Sequence, residues 1–72
     1  MMLLIGEIPK GLVNGINRSF NLSRQPVWGS LAVYQEGSRL MFNVDYTLSI
    51  NTVTFLAAPK PGDEIQADYY SS

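Results

Sequence analysis

The chain has 72 residues with no cysteine and no histidine, and its five basic and six acidic side chains leave a formal net charge of −1. This composition excludes disulfides, the usual zinc sites and nucleophilic triads that need an imidazole base. The basic residues are scattered, so the clustered positive charge typical of nucleic-acid-binding proteins is missing. We therefore expect no enzyme activity, no metal or other cofactor, and no nucleic-acid partner.

The first predicted element is a strand over residues 3–8, within an apolar start formed by Met1, Met2, Leu3, Leu4 and Ile5. This start is too short for the apolar region of a signal peptide and has no basic flank, so we expect a soluble protein without a membrane partner. Alternate residues of a strand face opposite sides, and one small sheet cannot bury all five. We expect residues 1–5 to mediate strand addition or arm exchange between copies; the alternative is an edge strand of the same subunit.

A loop rich in glycine and asparagine follows at residues 11–17, and then a short strand at 19–22. Next come two predicted strands, 30–34 and 39–42, separated by a segment that contains Gly37. Glycine in such a segment is typical of a turn that needs a positive φ. These strands therefore predict a hairpin.

Period-two alternation is clearest in residues 44–48 and 52–55, and the three residues between them are few enough for a second hairpin. Large apolar residues alternate with polar residues in both strands, which is typical of strands with one buried face. The residues expected to face inward are Val44, Tyr46, Leu48, Val53 and Phe55.

Two prolines and a glycine then interrupt pairing over residues 56–63, and the last strand is predicted at 64–70. Its inward face would carry Ile65, Ala67 and Tyr69, which leaves Tyr70 on the outer face. No helical periodicity occurs along the chain. We therefore predict one all-β domain over 1–72, a small antiparallel β-sandwich of about six short strands; the alternative is a small five-stranded barrel.

Turn residues and strand alternation form one pattern along nearly the whole chain: Pro9-Lys10-Gly11, residues 14–22, Pro26, residues 29–34, Gly37, residues 45–48, 53–55, Ala58-Pro59, residues 62–65 and Tyr69-Tyr70. This pattern resembles a small β module found in virion proteins of tailed bacteriophages. The apolar start, residues 1–5, is not part of it. The resemblance implies an assembly or attachment role in a neck, tail or fibre protein, or in a short stand-alone virion protein.

Three aromatic residues fall outside the predicted core pattern: Trp28, Tyr34 and Tyr70. Trp28 lies outside any clean alternation, while Tyr34 and Tyr70 have the opposite parity to their apolar neighbours. Tryptophan and tyrosine are enriched in binding hot spots. We expect all three to lie against a neighbouring subunit; for Trp28 the alternative is a cover over one open end of the core.

These observations favour a bacteriophage virion structural protein, a neck, tail or capsid-decoration subunit that assembles as a homo-oligomer with other virion proteins as partners. Such a protein would be made in the host cytoplasm and located in the virion. A second hypothesis is a receptor- or glycan-binding module at a virion tip. A third is a five-stranded barrel that stacks nucleic-acid bases on tyrosine and phenylalanine.

Overall fold

The structure, a computed structural model, describes residues 1–71 as two antiparallel sheets packed against each other. In that part of the chain one sheet has the order β1-β7-β3-β4 and the other β2-β6-β5. The predicted small all-β sandwich is confirmed, with seven strands in place of about six, in two sheets and not one closed barrel. The strands are β1 (Met2–Glu7), β2 (Ser19–Asn21), β3 (Ala32–Gln35), β4 (Ser38–Arg39), β5 (Tyr46–Ser49), β6 (Thr52–Phe55) and β7 (Ile65–Ser71).

The core lies between the two sheets and is built by the alternation that the sequence shows. Val53 and Phe55 on β6 are buried as predicted, and Phe55 meets Phe20 of β2 edge to face, with 5.4 Å between ring centroids. Such aromatic contacts stabilise a core beyond the area they bury. The other core residues are Leu22, Val33, Tyr46, Ile65, Ala67 and Tyr69.

Both predicted hairpins form, each around two turn residues. In the first, Gln35 pairs with Ser38, so the turn consists of Glu36 and Gly37, both at positive φ (52° and 79°). In the second, Ser49 pairs with Thr52, and the turn begins with Ile50 at a φ of 55°. A β-branched residue in this left-handed region is a strained choice, since its Cβ approaches the neighbouring main chain.

Two sequence expectations are wrong around residues 39–45. The strand predicted over 39–42 ends at Arg39, because a turn begins at Met41: the Met41 N–H donates to Asp45 Oδ2 (2.8 Å) and the Asp45 N–H donates to the Met41 carbonyl (2.8 Å). Val44 lies in this turn and is 55% exposed instead of inward, since β5 begins only at Tyr46.

The apolar start forms an edge strand of its own subunit, which is the alternative that the sequence left open. β1 pairs with β7 from Met2 opposite Ser71 to Leu4 opposite Tyr69, and then an extra residue shifts the register so that Glu7 lies opposite Ala67. Gly6 supplies the positive φ of this bulge (69°), and its N–H donates to Asp68 Oδ1 at 2.7 Å. The bulge thereby places Glu7 on the core face of the sheet.

Candidate interaction surfaces

The described residues 1–71 contain no group of three or more acidic, cysteine or histidine side chains placed to hold a metal ion. No helix in that range is long and apolar enough to cross a membrane. Every buried side-chain nitrogen or oxygen within it has a hydrogen-bond partner. The features that stand out are therefore surfaces.

Many large apolar side chains are exposed to solvent among residues 1–71. Scattered exposed apolar residues are normal on soluble proteins, and only contiguous groups indicate a contact surface. Several of the exposed residues do adjoin one another in this protein, and they form two surfaces. The large apolar residues exposed among residues 1–71 are Met1, Met2, Leu3, Ile5, Ile8, Leu12, Ile16, Trp28, Met41, Phe42, Val44, Ile50, Leu56 and Tyr70.

An aromatic cleft opens at one side of the sandwich, between β5, the end of β4 and the segment that precedes β3. Trp28 is 82% exposed and meets Phe42 edge to face at 5.8 Å, and Phe42 meets the Tyr46 ring at 5.7 Å. The cleft encloses about 260 Å³ and is completed by Gly29, Leu31, Arg39, Leu40 and Leu48.

The loop that carries Trp28 is fixed to the end of β7. The Val27 N–H donates to the Tyr70 carbonyl (2.7 Å), and the Ser30 hydroxyl donates to the Val27 carbonyl (2.7 Å). Deeper in the cleft, burial raises the pKa of the Tyr46 phenol, while the nearby Arg39 guanidinium acts in the opposite direction. Tyr46 therefore stays neutral at physiological pH and presents its ring, not a charge, to the cleft.

A second surface is the outer face of the four-stranded sheet. Leu3 and Tyr70 lie directly opposite each other on β1 and β7, and both are exposed (50% and 44%). Cross-strand neighbours on one face contact each other, so they form one patch. Tyr34 also belongs to this face but pairs with Gln66 and Arg39, toward the other end of the sheet, and is half-buried.

The residues predicted to contact a neighbouring subunit therefore do not all lie on one surface. The structure brings Tyr70 together with Leu3, and it brings the Trp28 loop to the end of the same strand β7. It does not bring Tyr34 to either of them. Contact of Trp28, Tyr34 and Tyr70 with another subunit stays a prediction.

Residues 1–5 are mostly exposed, as expected from their alternation. Only Leu4 packs against the core, while Met1, Met2, Leu3 and Ile5 are 87%, 46%, 50% and 73% exposed. Their pairing with β7 within the same chain fixes the strand, but its outer edge has no partner strand among residues 1–71.

The sequence did not reveal the contact that holds β1 in place. The Tyr69 hydroxyl donates to Glu7 Oε1, the Ser23 N–H donates to Glu7 Oε2 (2.7 Å) and the Arg24 N–H donates to the Tyr69 hydroxyl (3.3 Å). Burial and, after it, the bond to Glu7 raise the pKa of Tyr69. Gly6 inside a strand pattern was the available signal, because an isolated glycine there indicates a bulge that moves the following side chain to the other face.

The chain matches no family model, no curated protein and no solved structure. The resemblance to modules of tailed-phage virion proteins accordingly stays a prediction from the sequence.

Proposed function

We propose that this protein is a structural subunit that works by packing against other protein chains, as a neck, tail or capsid-decoration component of a tailed-bacteriophage particle. The observation that carries the proposal is the adjoining apolar surface, above all Leu3 with Tyr70 and Trp28 with Phe42. Water-exposed groups of this kind lower the free energy of association when a second chain covers them.

Charge and size support the same function. A net charge of −1 provides little repulsion between copies. The total accessible surface is 4694 Å², so a standard interface of about 800 Å² per partner would cover roughly one sixth of it. Covering that much of a small domain also stabilises its fold by mass action, which couples folding to assembly.

The bacteriophage part of the proposal rests on the sequence pattern alone. Part of this pattern lies in turns and strands: Gly37 is in the turn between β3 and β4, and residues 46–48, 53–55 and 69–70 lie in β5, β6 and β7. Under this proposal the partners are further copies and other virion proteins, and the location is the assembled particle.

The test is the mass of the purified protein in solution. We expect light scattering and equilibrium sedimentation to give a mass above that of one chain, rising with concentration from micromolar toward millimolar. The variant Trp28→Ser tests the aromatic cleft, and Ile16→Ser serves as its control, because Ile16 is equally exposed (83%) but lies outside the cleft. A strict monomer over the whole range would contradict the proposal.

One observation favours a second candidate, recognition of a receptor glycan. The 82% exposed Trp28 ring at the rim of a 260 Å³ cleft, with the Arg39 guanidinium in its lining, offers a stacking surface and a hydrogen-bond donor for a sugar. Binding to a glycan array that Trp28→Ser abolishes would support this candidate. Absence of retention on every glycan would leave the assembly proposal alone.

A further inference from the structure

The four outer edges of the two sheets are unequally protected. β4 has only two residues, one of them Arg39. The outer edge of β2 is occupied by Lys10, whose N–H and carbonyl both bond to Asn21 (2.8 and 2.9 Å). Short strands, basic side chains and covering segments are the usual means by which proteins prevent pairing at an edge.

The edge of β5 is also partly covered. Phe42 bridges to Tyr46, and the Asn43 N–H donates to the Tyr46 carbonyl at 2.7 Å. Only residues 47–49 of this four-residue strand remain beyond the covered position. Three of the four edges are therefore short or blocked.

β1 has none of these protections over most of its length. It has six residues, the first five of them uncharged and none of them proline, and no strand pairs with its outer edge within residues 1–71. Its outer-face side chains Leu3 and Ile5 are 50% and 73% exposed, and Met1 just before it is 87% exposed. An unprotected edge with apolar side chains is a template for addition of another strand.

We propose that β1 pairs antiparallel with β1 of a second copy, so that two four-stranded sheets join into one eight-stranded sheet. This inference rests on the proposed assembly function and names its first contact. A head-to-tail contact needs two different open edges on one molecule. Since the described residues offer only one that is long and unprotected, the contact is self-complementary and has a two-fold axis.

The register follows from the apolar segment and the bulge. With the axis at Leu3, each Leu3 lies opposite its counterpart, Met2 lies opposite Leu4, and Met1 lies opposite Ile5, so that every apolar residue of the segment has an apolar partner. The bulge at Gly6 then ends regular pairing before Glu7. Because the five paired residues per copy cover less than a standard interface of about 800 Å² per partner, we expect a reversible dimer of modest affinity.

A charge-swap experiment tests both the strand and its register. Leu3→Lys and Leu3→Glu each place two like charges directly opposite each other across the axis, and directly opposed like charges destabilise strand pairing. We expect each variant alone to dimerise several-fold more weakly than the unmodified protein, and an equimolar mixture to regain the dimer as a Lys–Glu pair. The matched controls are Leu56→Lys and Leu56→Glu, at a leucine that is 71% exposed and lies just after the end of β6.

The outcomes separate this inference from the proposed function. If the unmodified protein is oligomeric and Leu3→Lys leaves its mass unchanged, β1 pairing is wrong while assembly through another surface stands. If the unmodified protein is monomeric up to millimolar concentration, both proposals fail. Leu3→Cys gives an independent measurement, because the chain has no other cysteine: glutathione disulfide should produce a covalent dimer from Leu3→Cys and not from Leu56→Cys, and absence of that dimer would overturn the register.

Discussion

Replacing Ile50 with asparagine should stabilise the isolated subunit. Ile50 begins the two-residue turn between β5 and β6 at a φ of 55°, a region that costs an L-residue about 1–2 kcal/mol. Asparagine tolerates this conformation. The packing of the Ile50 side chain offsets little of this strain energy, since the residue is 71% exposed.

The size of the effect follows from two opposing free energies. Less than a third of the Ile50 surface is covered, part of it main chain, so removing the apolar side chain costs on the order of 0.5 kcal/mol. Subtracting this cost from the relieved strain leaves a gain of about 0.5–1.5 kcal/mol in the free energy of unfolding. For a domain of this size, each kcal/mol raises the melting temperature by about 4–8 °C.

Far-ultraviolet circular dichroism during urea and thermal unfolding is the suitable assay, because the exposed Trp28 makes fluorescence a weak reporter. The urea midpoint should rise with an unchanged slope. The control Ile50→Val keeps a β-branched side chain and should bring no gain. The protein must be dilute enough to be monomeric, since association adds stability by mass action. If Ile50→Asn were no more stable than Ile50→Val, the strain attributed to this turn would be wrong.

Three further changes probe other parts of the fold. Glu36→Asn gives the other turn an Asn-Gly pair, the preferred sequence when both turn residues have positive φ, and should raise the urea midpoint by a similar amount. Gly11→Ala should lower the free energy of unfolding by about 1–3 kcal/mol, because the added Cβ would lie 2.5 Å from Cδ2 of the buried Phe20. The raised pKa of Tyr69 predicts that its contribution to stability is complete well below pH 10.0, the pKa of the unfolded phenol, and is lost as the pH rises above that value toward the folded-state pKa. Tyr69→Phe should reduce this alkaline loss in urea titrations at about pH 8 and about pH 10.5, and an unchanged loss would refute the assignment.

The sequence predicts strands well where the alternation of apolar and polar residues within one strand is clear. Alternation in β6 and β7 predicts which side chains are buried, because a strand with one face on the core must bury every second residue. Val53, Phe55, Ile65, Ala67 and Tyr69 are all buried as that rule requires.

The same rule fails where a turn competes with a strand. The pattern of residues 39–42 predicts a strand, but the Asp45 carboxylate accepts the Met41 N–H and closes a turn of five residues. Turns of this kind are formed by a local hydrogen bond between an aspartate side chain and the backbone, and the spacing of apolar residues does not indicate them. Parity alone places Val44 on the inner face, and the turn takes it out of the strand altogether.

Contacts between residues that are far apart in the chain could not be predicted from the sequence. Glu7 and Tyr69 are 62 residues apart, and nothing in their local patterns pairs them. Likewise the cleft forms only because the loop after Pro26 is fixed to β7 and Phe42 returns beside β5. The sequence predicts that Trp28 lies outside the core pattern, but it does not predict that Trp28 contacts Phe42.

Mutations can distinguish the apolar side chains that stabilise the fold from those that we propose to mediate assembly. Core residues such as Phe20 hold the two sheets together, so their truncation should weaken the fold and, through it, any assembly. Leu3 lies on the outer face at an edge and Trp28 at the rim of a cleft, and both are at least half exposed. Polar replacements there remove little packing within one subunit, so their effect on the unfolding of the dilute monomer should be small. A protein whose exposed apolar residues served its own fold would show the reverse: unfolding of the monomer would be as sensitive to Leu3 and Trp28 as to the core.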